Sequence, residues 1–287
     1  MATFNEKRTC SERMQNFGRF VWNPDTGELM GRTLIKWVYI SLYYVAFYIV
    51  MIGLFALSIY SLMKTISPYE PDYQDMIQYP GVTIRPDVYG DDGIRLIYNA
   101  SEEKSYSGIV KMIRNFLSVY NKTTQQEMMN KDCSNVSDVK QLLMAGERLK
   151  YACEFTTDML GNCSYEKDKT FGYASGQPCL FLKLNRIINF IPDNKTSPTI
   201  RCYSKKEGEL QEVEYFPNDA FGAQYFPYYG RKTQPNYTNP LVAVKILKIM
   251  YNTEMEIVCR ANGSHIISDN PHDPYEGKVT FKLNIQK

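Results

Sequence analysis

Residues Trp37 to Met63 are the feature that most constrains what this chain can fold into. They are 27 consecutive residues without an Asp, Glu, Lys, Arg or His, bounded by Lys36 and Lys64. A helix rises about 1.5 Å per residue and the hydrocarbon core of a bilayer is about 30 Å thick, so about 20 apolar residues can cross it. The segment therefore predicts a single transmembrane helix over residues 37–63.

A cleaved secretory signal peptide is the main alternative interpretation of this segment. Signal peptides have an apolar core of about 7–15 residues close to the first residue, followed by small residues at a cleavage site. Here the apolar run is longer and begins after 36 residues of polar sequence. We therefore interpret it as an uncleaved signal anchor, and we expect residues 1–36 to form a polar cytoplasmic tail without sustained periodicity.

Three features differ between the two sides of the segment and predict its orientation. The tail carries six basic and four acidic residues, and basic residues near a span favour the cytoplasmic side. Six of the seven cysteines follow the span, an even number suited to disulfides in an oxidising compartment, and only Cys10 precedes it. The sequons for N-glycosylation all follow it as well, at Asn99, Asn121, Asn135, Asn162, Asn194, Asn236 and Asn262. These features predict a type II protein with its carboxyl end outside the cell.

The charge of the outer part limits its partners. Residues 64–287 carry 27 basic and 27 acidic side chains. This balance argues against nucleic acid, polyanions or an anionic membrane surface as a partner of that part. Closely spaced prolines in residues 64–80 disfavour helix and central strand, so we expect an extended stalk there.

Residues 81–287 predict a mainly-β domain with one helix. The helix is expected over residues 105–120, where apolar residues form one stripe, namely Ile109, Met112, Ile113, Phe116, Leu117 and Tyr120. Strict alternation predicts a strand at residues 279–285, and shorter apolar runs predict strands at 179–191, 241–247 and 254–260. Several antiparallel strands with inward-facing cysteines are typical of an immunoglobulin-like β-sandwich held by disulfides, although spacing alone does not choose the pairing.

Aromatic residues inside the predicted span are candidates for a protein contact. Tyr44 and Tyr48 lie deeper than the interface, where an unpaired hydroxyl costs a few (~2–7) kcal/mol. The hydroxyls could bond to another protein's transmembrane helices, or instead reach the interface or bond to carbonyls one turn back. No GxxxG pattern indicates close self-association. Helical spacing places Tyr39, Tyr43 and Phe47 on one face, and Tyr44, Tyr48 and Phe55 on the adjoining face.

A second candidate contact is the aromatic segment at residues 225–230. It reads Tyr225, Phe226, Pro227, Tyr228, Tyr229 and Gly230. Core packing explains two aromatic residues, but so many around a proline cannot all face inward from one strand. An apolar patch on an extracellular surface usually marks a protein contact, for which tyrosine is well suited. We therefore expect part of this segment to be exposed.

Catalytic patterns are weak. His265 and His272 have no third metal ligand in spacing, and Asp91 and Asp92 in GDDG do not form the Asp-X-Asp pattern of many luminal glycosyltransferases. Asp168-Lys169-Thr170 matches part of the phosphorylated motif of ion-pumping ATPases, but Phe171 follows where that motif has glycine. We interpret the match as coincidence, and we predict no catalytic residue, no cofactor and no metal site.

Distinctive sequence blocks occur along nearly the whole chain. They are WNPDTGELMGRT (22–33), SLYYVAFY (41–48), PDYQD (71–75), RPDVYG (85–90), LGNCS (160–164), GQPCLFLKLNRIINF (176–190), YFPYYG (225–230), NPLVAVK (239–245) and NPHDPYEG (270–277). Together these blocks resemble the beta subunits of the potassium-counter-transporting P-type ATPases, the sodium pump and the gastric proton pump. The segments RPDVYG and NPHDPYEG are closer to the gastric form.

The resemblance implies a non-catalytic subunit that stabilises a catalytic alpha subunit, carries it to the plasma membrane and modulates its potassium affinity. It implies that Tyr43, Tyr44, Phe47 and Tyr48 pack on the alpha subunit and that residues 225–230 contact one of its extracellular loops. It also implies neighbour disulfides, namely Cys133–Cys153, Cys163–Cys179 and Cys202–Cys259. The gastric form carries a Phe-X-Arg-Tyr endocytic signal, whereas this chain has Phe17-Gly18-Arg19-Phe20. The alternatives are a sodium-pump beta subunit, an adhesion glycoprotein and an anchored luminal enzyme.

Overall fold

The computed structural model describes residues 10–73, 79–91, 93–133, 149–192, 197–205, 208–209, 212–273 and 275–287. Two compact units divide the chain, Met1–Ile66 and Ser67–Lys287. The expected stalk falls partly on residues 74–78, and the sequons at Asn135 and Asn194 fall on other gaps, so these predictions lie outside the described residues.

The first unit contains two helices joined by a small antiparallel sheet. Helix α1 (Cys10–Val21) is followed by strands β1 (Trp22–Asn23), β2 (Glu28–Leu29) and β3 (Arg32–Thr33), which pair in that order. The expectation of a tail without periodicity is therefore wrong for residues 10–33. Its physical reason is local, because Gly27 and Gly31, with φ of 67° and 70°, allow the tight turns that let two-residue strands pair.

Helix α2 (Leu34–Thr65) is the predicted span, extended at both ends. It has 32 residues, and none of its side chains is buried in the structure. It is the one helix in the described part of the chain that is long and apolar enough to cross a membrane. A buried core helix of this length would be covered by other elements, so α2 has the surface of a helix whose surroundings are lipid or another protein.

The second unit is a β-sandwich with two short helices. In chain order its elements are β4 (Val82–Arg85), β5 (Tyr89–Gly90), β6 (Gly93–Asn99), α3 (Glu103–Leu117), α4 (Lys122–Glu127), β7 (Cys179–Leu184), β8 (Thr199–Ser204), β9 (Gly208–Glu209), β10 (Val213–Phe216), β11 (Val242–Ile246), β12 (Met255–Asn262) and β13 (Lys278–Gln286). One sheet has the order β10-β11-β7-β4 and the other β5-β6-β13-β12-β8-β9. Side chains from both sheets and from α3 share one core.

Strand alternation predicted the core side of this sandwich correctly. In β13 the side chains of Val279, Phe281, Leu283 and Ile285 are buried, and Thr280 between them is exposed. All pairs are antiparallel within the described sheets except β6 with β13, which is parallel. The sandwich class is therefore confirmed, with a parallel pair that the local pattern did not indicate.

Two element predictions need correction. The strand expected over residues 179–191 ends at Leu184, because both neighbouring strands stop pairing there. Strand β4 begins at Val82, opposite Leu184, and β11 begins at Val242, opposite Leu182. In the helical stripe, Met112 is exposed, whereas Tyr106, which was not in the predicted stripe, is buried. Tyr106 packs edge-on to Tyr98 of β6, a contact that helical periodicity does not report.

Three disulfides fasten the second unit, with the neighbour pairing that the resemblance implied. Cys133 bonds to Cys153, Cys163 to Cys179 and Cys202 to Cys259. The last pair joins β8 to β12 across directly opposed positions of the same sheet. Cys10 is a free thiol in the first unit.

Candidate interaction surfaces

Four aromatic side chains form a continuous ribbon on helix α2, and we call Tyr43, Tyr44, Phe47 and Tyr48 the aromatic ribbon. Tyr43 stacks on Phe47 with ring centroids 6.3 Å apart, and Tyr44 stacks on Tyr48 at 6.2 Å. Edge-to-face contacts at 5.5 and 5.7 Å join the two stacks. The i, i+4 spacing of a helix brings these rings together, and each remains exposed, by 44% at Phe47 and by up to 65% at Tyr43. The predicted contact residue Tyr39 is exposed too, one turn before the ribbon.

The hydroxyls of the ribbon have no hydrogen-bond partner within the part of the chain that the structure describes. Ser58 on the same helix does bond to a carbonyl one turn back, Leu54, at 2.9 Å. The tyrosine ring holds its hydroxyl too far from its own backbone for the same bond. Of the three explanations that the sequence left open, bonding to carbonyls one turn back is therefore absent among the described residues, and the ribbon offers its hydroxyls outward.

Residues 225–230 form the second surface, which we call the tyrosine segment. Tyr225, Tyr228 and Gly230 are buried, so only part of the segment is exposed, as expected from the sequence. Tyr225 donates its hydroxyl to the carbonyl of Glu154 at 3.0 Å, and burial raises the pKa of Tyr225 to about 12. Phe226, Pro227 and Tyr229 are half-buried. These three are the residues of the segment that have accessible surface.

Arg186 packs against the tyrosine segment and supports it. Its guanidinium lies 5.5 Å from the ring centre of Tyr228 and 5.2 Å from that of Tyr237, and those two rings are 4.7 Å apart. It also donates to the carbonyl of Tyr237 at 3.0 Å and to the side-chain oxygen of Asn239. A delocalised cation against two aromatic faces is a stable arrangement for arginine. Sequence reasoning missed Arg186, because it is about 40 residues from the segment and no local pattern marks it.

A charged cluster borders the exposed edge of the segment. The ammonium nitrogen of Lys150 lies 3.1 Å from the ring centre of Tyr229. Burial lowers the pKa of Lys150 while the Glu70 carboxylate opposes the shift, and burial together with Glu70 raises the pKa of Tyr229. Glu70 lies just after the first residues of the ectodomain unit, so this edge of the tyrosine segment faces the start of that unit.

At Gly230 the tyrosine segment passes close to Tyr69, one of the first residues of the second unit. The φ of Gly230 is 89°, and a Cβ there would lie 2.9 Å from the carbonyl oxygen of Tyr69. Lys232 lies with its ammonium 5.9 Å from the ring centre of Tyr69. Tyr69 is four residues beyond the end of α2 in the sequence and belongs to the second unit.

The residues considered for catalysis have structural contacts. Asp168 accepts hydrogen bonds from the backbone and side chain of Thr170 at 2.8 and 2.7 Å and from the backbone of Gly172 at 2.7 Å. Burial acts to raise the pKa of this carboxyl, but the three hydrogen bonds and the positive charge of Lys245 together outweigh it and hold the pKa below its ordinary value. His272 is exposed, as is His265, whose Nδ1 lies 3.2 Å from the carbonyl oxygen of Ile191. Among the described residues no group of three or more His, Cys, Asp or Glu could hold a metal ion.

Comparison with known sequences identifies the family. A profile of the family described as sodium / potassium ATPase beta chain matches residues 7–281. The chain belongs to this beta chain family. Potassium-transporting ATPase subunit beta of Canis lupus familiaris is 50% identical over 292 residues, and that of Rattus norvegicus is 50% identical over 296 residues. Sodium/potassium-transporting ATPase subunit beta-2 of Rhinella marina is 36% identical over 310 residues. Each of the three alignments covers 100% of both chains.

These beta chain relatives confirm the resemblance stated from the sequence, including its greater similarity to the potassium-transporting members. With one helix that can span a membrane in the described residues, the chain is a single-pass membrane protein of the beta chain family.

Proposed function

We propose that this protein is the non-catalytic beta subunit of a potassium-counter-transporting P-type ATPase of the proton-exporting kind. The observation that carries the proposal is 50% identity along the full length of potassium-transporting ATPase beta subunits, against 36% for a sodium/potassium-transporting one. The sodium-pump beta subunit is the second candidate in the same family. ATP hydrolysis and ion transport belong, in this proposal, to the alpha subunit.

Helix α2 would bind the membrane part of the alpha subunit through the aromatic ribbon. Lipid tails are as apolar as the ribbon, so the hydrophobic effect does not favour this contact, and close packing and hydrogen bonds must provide the stability. Pre-stacked rings lose little conformational freedom on binding. The free hydroxyls of Tyr44 and Tyr48 supply hydrogen bonds to polar groups that the alpha subunit would otherwise leave unpaired in the membrane.

The tyrosine segment would contact an outer loop of the alpha subunit through Phe226, Pro227 and Tyr229. Arg186 and the buried rings of Tyr225 and Tyr228 hold these three side chains in place. A rigid aromatic surface of this kind contributes contact area at low entropic cost. The segment also lies beside Tyr69, which follows the last residue of α2 by four positions in the sequence, and this short connection to the span supports the assignment.

The two contacts together support roles in folding, delivery and transport. By covering polar membrane helices the beta subunit would stabilise the alpha subunit and permit its transfer to the plasma membrane. A subunit that contacts two transport states unequally also shifts their equilibrium, so potassium affinity would depend on the beta subunit although it binds no ion.

Co-expression with the alpha subunit tests the proposal. We expect the alpha subunit alone to remain in the endoplasmic reticulum and the pair to reach the cell surface, as measured by surface biotinylation. Tyr44→Phe with Tyr48→Phe removes only the two ribbon hydroxyls, and we expect it to reduce the amount of alpha subunit that co-purifies in mild detergent. Tyr60→Phe, near the far end of the same helix and outside the ribbon, is the matched control and should leave co-purification unchanged.

Two results would contradict the proposal. One is an alpha subunit that reaches the surface as an active pump without any beta subunit. The other is a chain that co-purifies only with sodium-pump alpha subunits, which would leave the family assignment intact and reject the proton-exporting kind.

A further inference from the structure

Helix α1 presents an apolar face that no described residue covers. Met14, Phe17 and Phe20 are 75%, 67% and 58% exposed. Cys10, Met14, Phe17 and Val21 recur at spacings of four and three, which places them on one side of the helix, with Phe20 beside them. Gln15 and Arg19 lie on the opposite side. The helix is therefore amphipathic, with its large apolar side chains in solvent.

Hydrogen bonds connect this helix to the beginning of the membrane span. The backbone nitrogen of Met30 donates to the carbonyl of Val21, the last residue of α1, at 3.1 Å. One residue earlier, the carbonyl of Leu29 accepts from the indole nitrogen of Trp37 at 2.8 Å. Trp37 lies in the first turn of α2. The sheet β1-β2-β3 thus holds the end of α1 close to the point where the span begins.

The residue types around this connection are those of a membrane interface. The chain has two tryptophans, Trp22 and Trp37, and both lie here, one directly after α1 and one at the start of α2. Tryptophan is enriched at the level of the lipid headgroups. Residues 1–21 carry four basic and two acidic side chains, a net positive charge that suits the anionic cytoplasmic leaflet.

We propose that helix α1 lies flat on the membrane surface beside the span, with Met14, Phe17 and Phe20 inserted among the lipid acyl chains. An amphipathic helix in this position buries its apolar face about 5–10 Å into the headgroup region. The connection through Met30 and Trp37 keeps the helix at that depth without a large loss of freedom, because the span already anchors it. The occupant of the face is the lipid of the leaflet. The proposal requires the span to be in a membrane and does not depend on which ion the partner pump exports.

The same face gives Phe20 a role. The segment Phe17-Gly18-Arg19-Phe20 has phenylalanine where the endocytic pattern has tyrosine, and the exchange removes a hydroxyl that would be buried among acyl chains. In this position Phe20 contributes to lipid binding.

Spin labels on the full-length chain in lipid vesicles test this placement. In a Cys10→Ser background the other six cysteines are in disulfides, so a single introduced cysteine is the labelling site. Met14→Cys and Phe17→Cys report the apolar side and Gln15→Cys the polar side. The measurement compares collisions with oxygen, which is concentrated in lipid, and with a water-soluble nickel complex, in vesicles with and without phosphatidylserine.

We expect the ratio of oxygen to nickel collisions to be several-fold higher at positions 14 and 17 than at position 15. Adding Phe20→Glu should move the label at position 14 toward water, whereas Gln15→Glu, the same charge on the polar side, should leave it in lipid. Equal nickel access at all three positions would overturn the proposal. Protection that appears only when an alpha subunit is reconstituted with the chain would also overturn it, and would assign the face to a protein partner.

Discussion

Gly230 is the residue on which the fit between the tyrosine segment and the beginning of the ectodomain depends. Its positive φ and the nearby carbonyl of Tyr69 both exclude a side chain. Gly93, with a φ of 107°, also has a positive φ, but a Cβ added there would have no atom within 4 Å. Substitutions at the two glycines therefore separate the energetic cost of backbone strain from the cost of a steric clash.

We expect Gly230→Ala to lower the free energy of unfolding of the ectodomain by about 1–3 kcal/mol. Gly93→Ala should cost about 1 kcal/mol or less, since it adds strain without a clash. Chemical denaturation of the full-length chain in detergent measures both. Equal losses would show that Tyr69 does not press against the segment.

Asp168 makes the stability of its turn dependent on pH. The pKa of the carboxyl is depressed in the folded chain, so the folded state favours the ionised form. The stabilisation is present above the ordinary carboxyl pKa of 3.8 and is lost as the pH falls through the lower folded value.

We expect Asp168→Ala to destabilise the chain by about 1–2 kcal/mol at neutral pH, and the difference from the unmodified chain to shrink as the pH falls below 3.8. Asn is not a suitable replacement here, because Asn-Lys-Thr would create a new sequon. Asp158→Ala, which removes an exposed carboxylate nearby, is the control. A difference that stays constant from neutral to acid pH would reject the hydrogen-bonded carboxylate as its origin.

The sequons differ in how accessible their side chains are in the structure. Asn121, Asn162 and Asn262 are exposed. The amide nitrogen of Asn236, to which a glycan would attach, donates to the carbonyl of Met128 at 2.7 Å, and Thr238 of the same sequon is 4% exposed. We therefore predict that Asn121→Gln removes one glycan from the mature chain and that Asn236→Gln removes none. Glycopeptide mass spectrometry measures occupancy, and a glycan at Asn236 in the folded chain would contradict the prediction.

At the scale of elements, helix α3 buries one face in the core and leaves the opposite face in solvent. Ile113 is 0% exposed against the sandwich, and its neighbour Met112 is 38% exposed. Both are apolar and adjacent in sequence, so the difference between them comes from the packing of the helix against β6 and the loops around it.

Ile113→Ala should reduce the free energy of unfolding by about 2–5 kcal/mol, because it leaves a cavity in close-packed surroundings. Met112→Ala should cost less than about 1 kcal/mol, since the side chain is largely in solvent. Denaturation of the two variants under the same conditions provides the comparison. A similar loss of unfolding free energy in both variants would mean that helix α3 is rotated about its axis relative to the structure described.

At the scale of the whole molecule, a charged tail, one span and a disulfide-bonded sandwich follow each other along the chain. The sequons and the paired cysteines all lie after the span, and the free Cys10 lies before it. This distribution supports the type II orientation, with the sandwich on the outer side.

Tags at the two ends of the chain test that orientation. Protease added to intact cells should remove a carboxyl-terminal tag, while an amino-terminal tag should be lost only after the membrane is permeabilised. Loss of the amino-terminal tag from intact cells would show the opposite topology. It would also contradict the proposed contact of the tyrosine segment.

The sequence by itself determined the features that depend on local pattern. The apolar run located the span to within three residues at either end, because a helix in lipid must be apolar along its whole length. Alternation identified the buried side of β13, because successive side chains of a strand point to opposite faces. The blocks of residues shared with a known family indicated the family and the disulfide pairing.

Only the tertiary structure decided which aromatic residues are buried and which are exposed. Tyr225 and Tyr228 differ from Tyr229 through contacts with Glu154, Arg186 and Lys150, each about 40 residues or more away in the chain. The connection of α1 to the span likewise depends on a hydrogen bond between Trp37 and Leu29 across a turn. Periodicity reports which side chains are neighbours within one element. The contacts named above join different elements, and no local sequence pattern specifies how those elements are positioned.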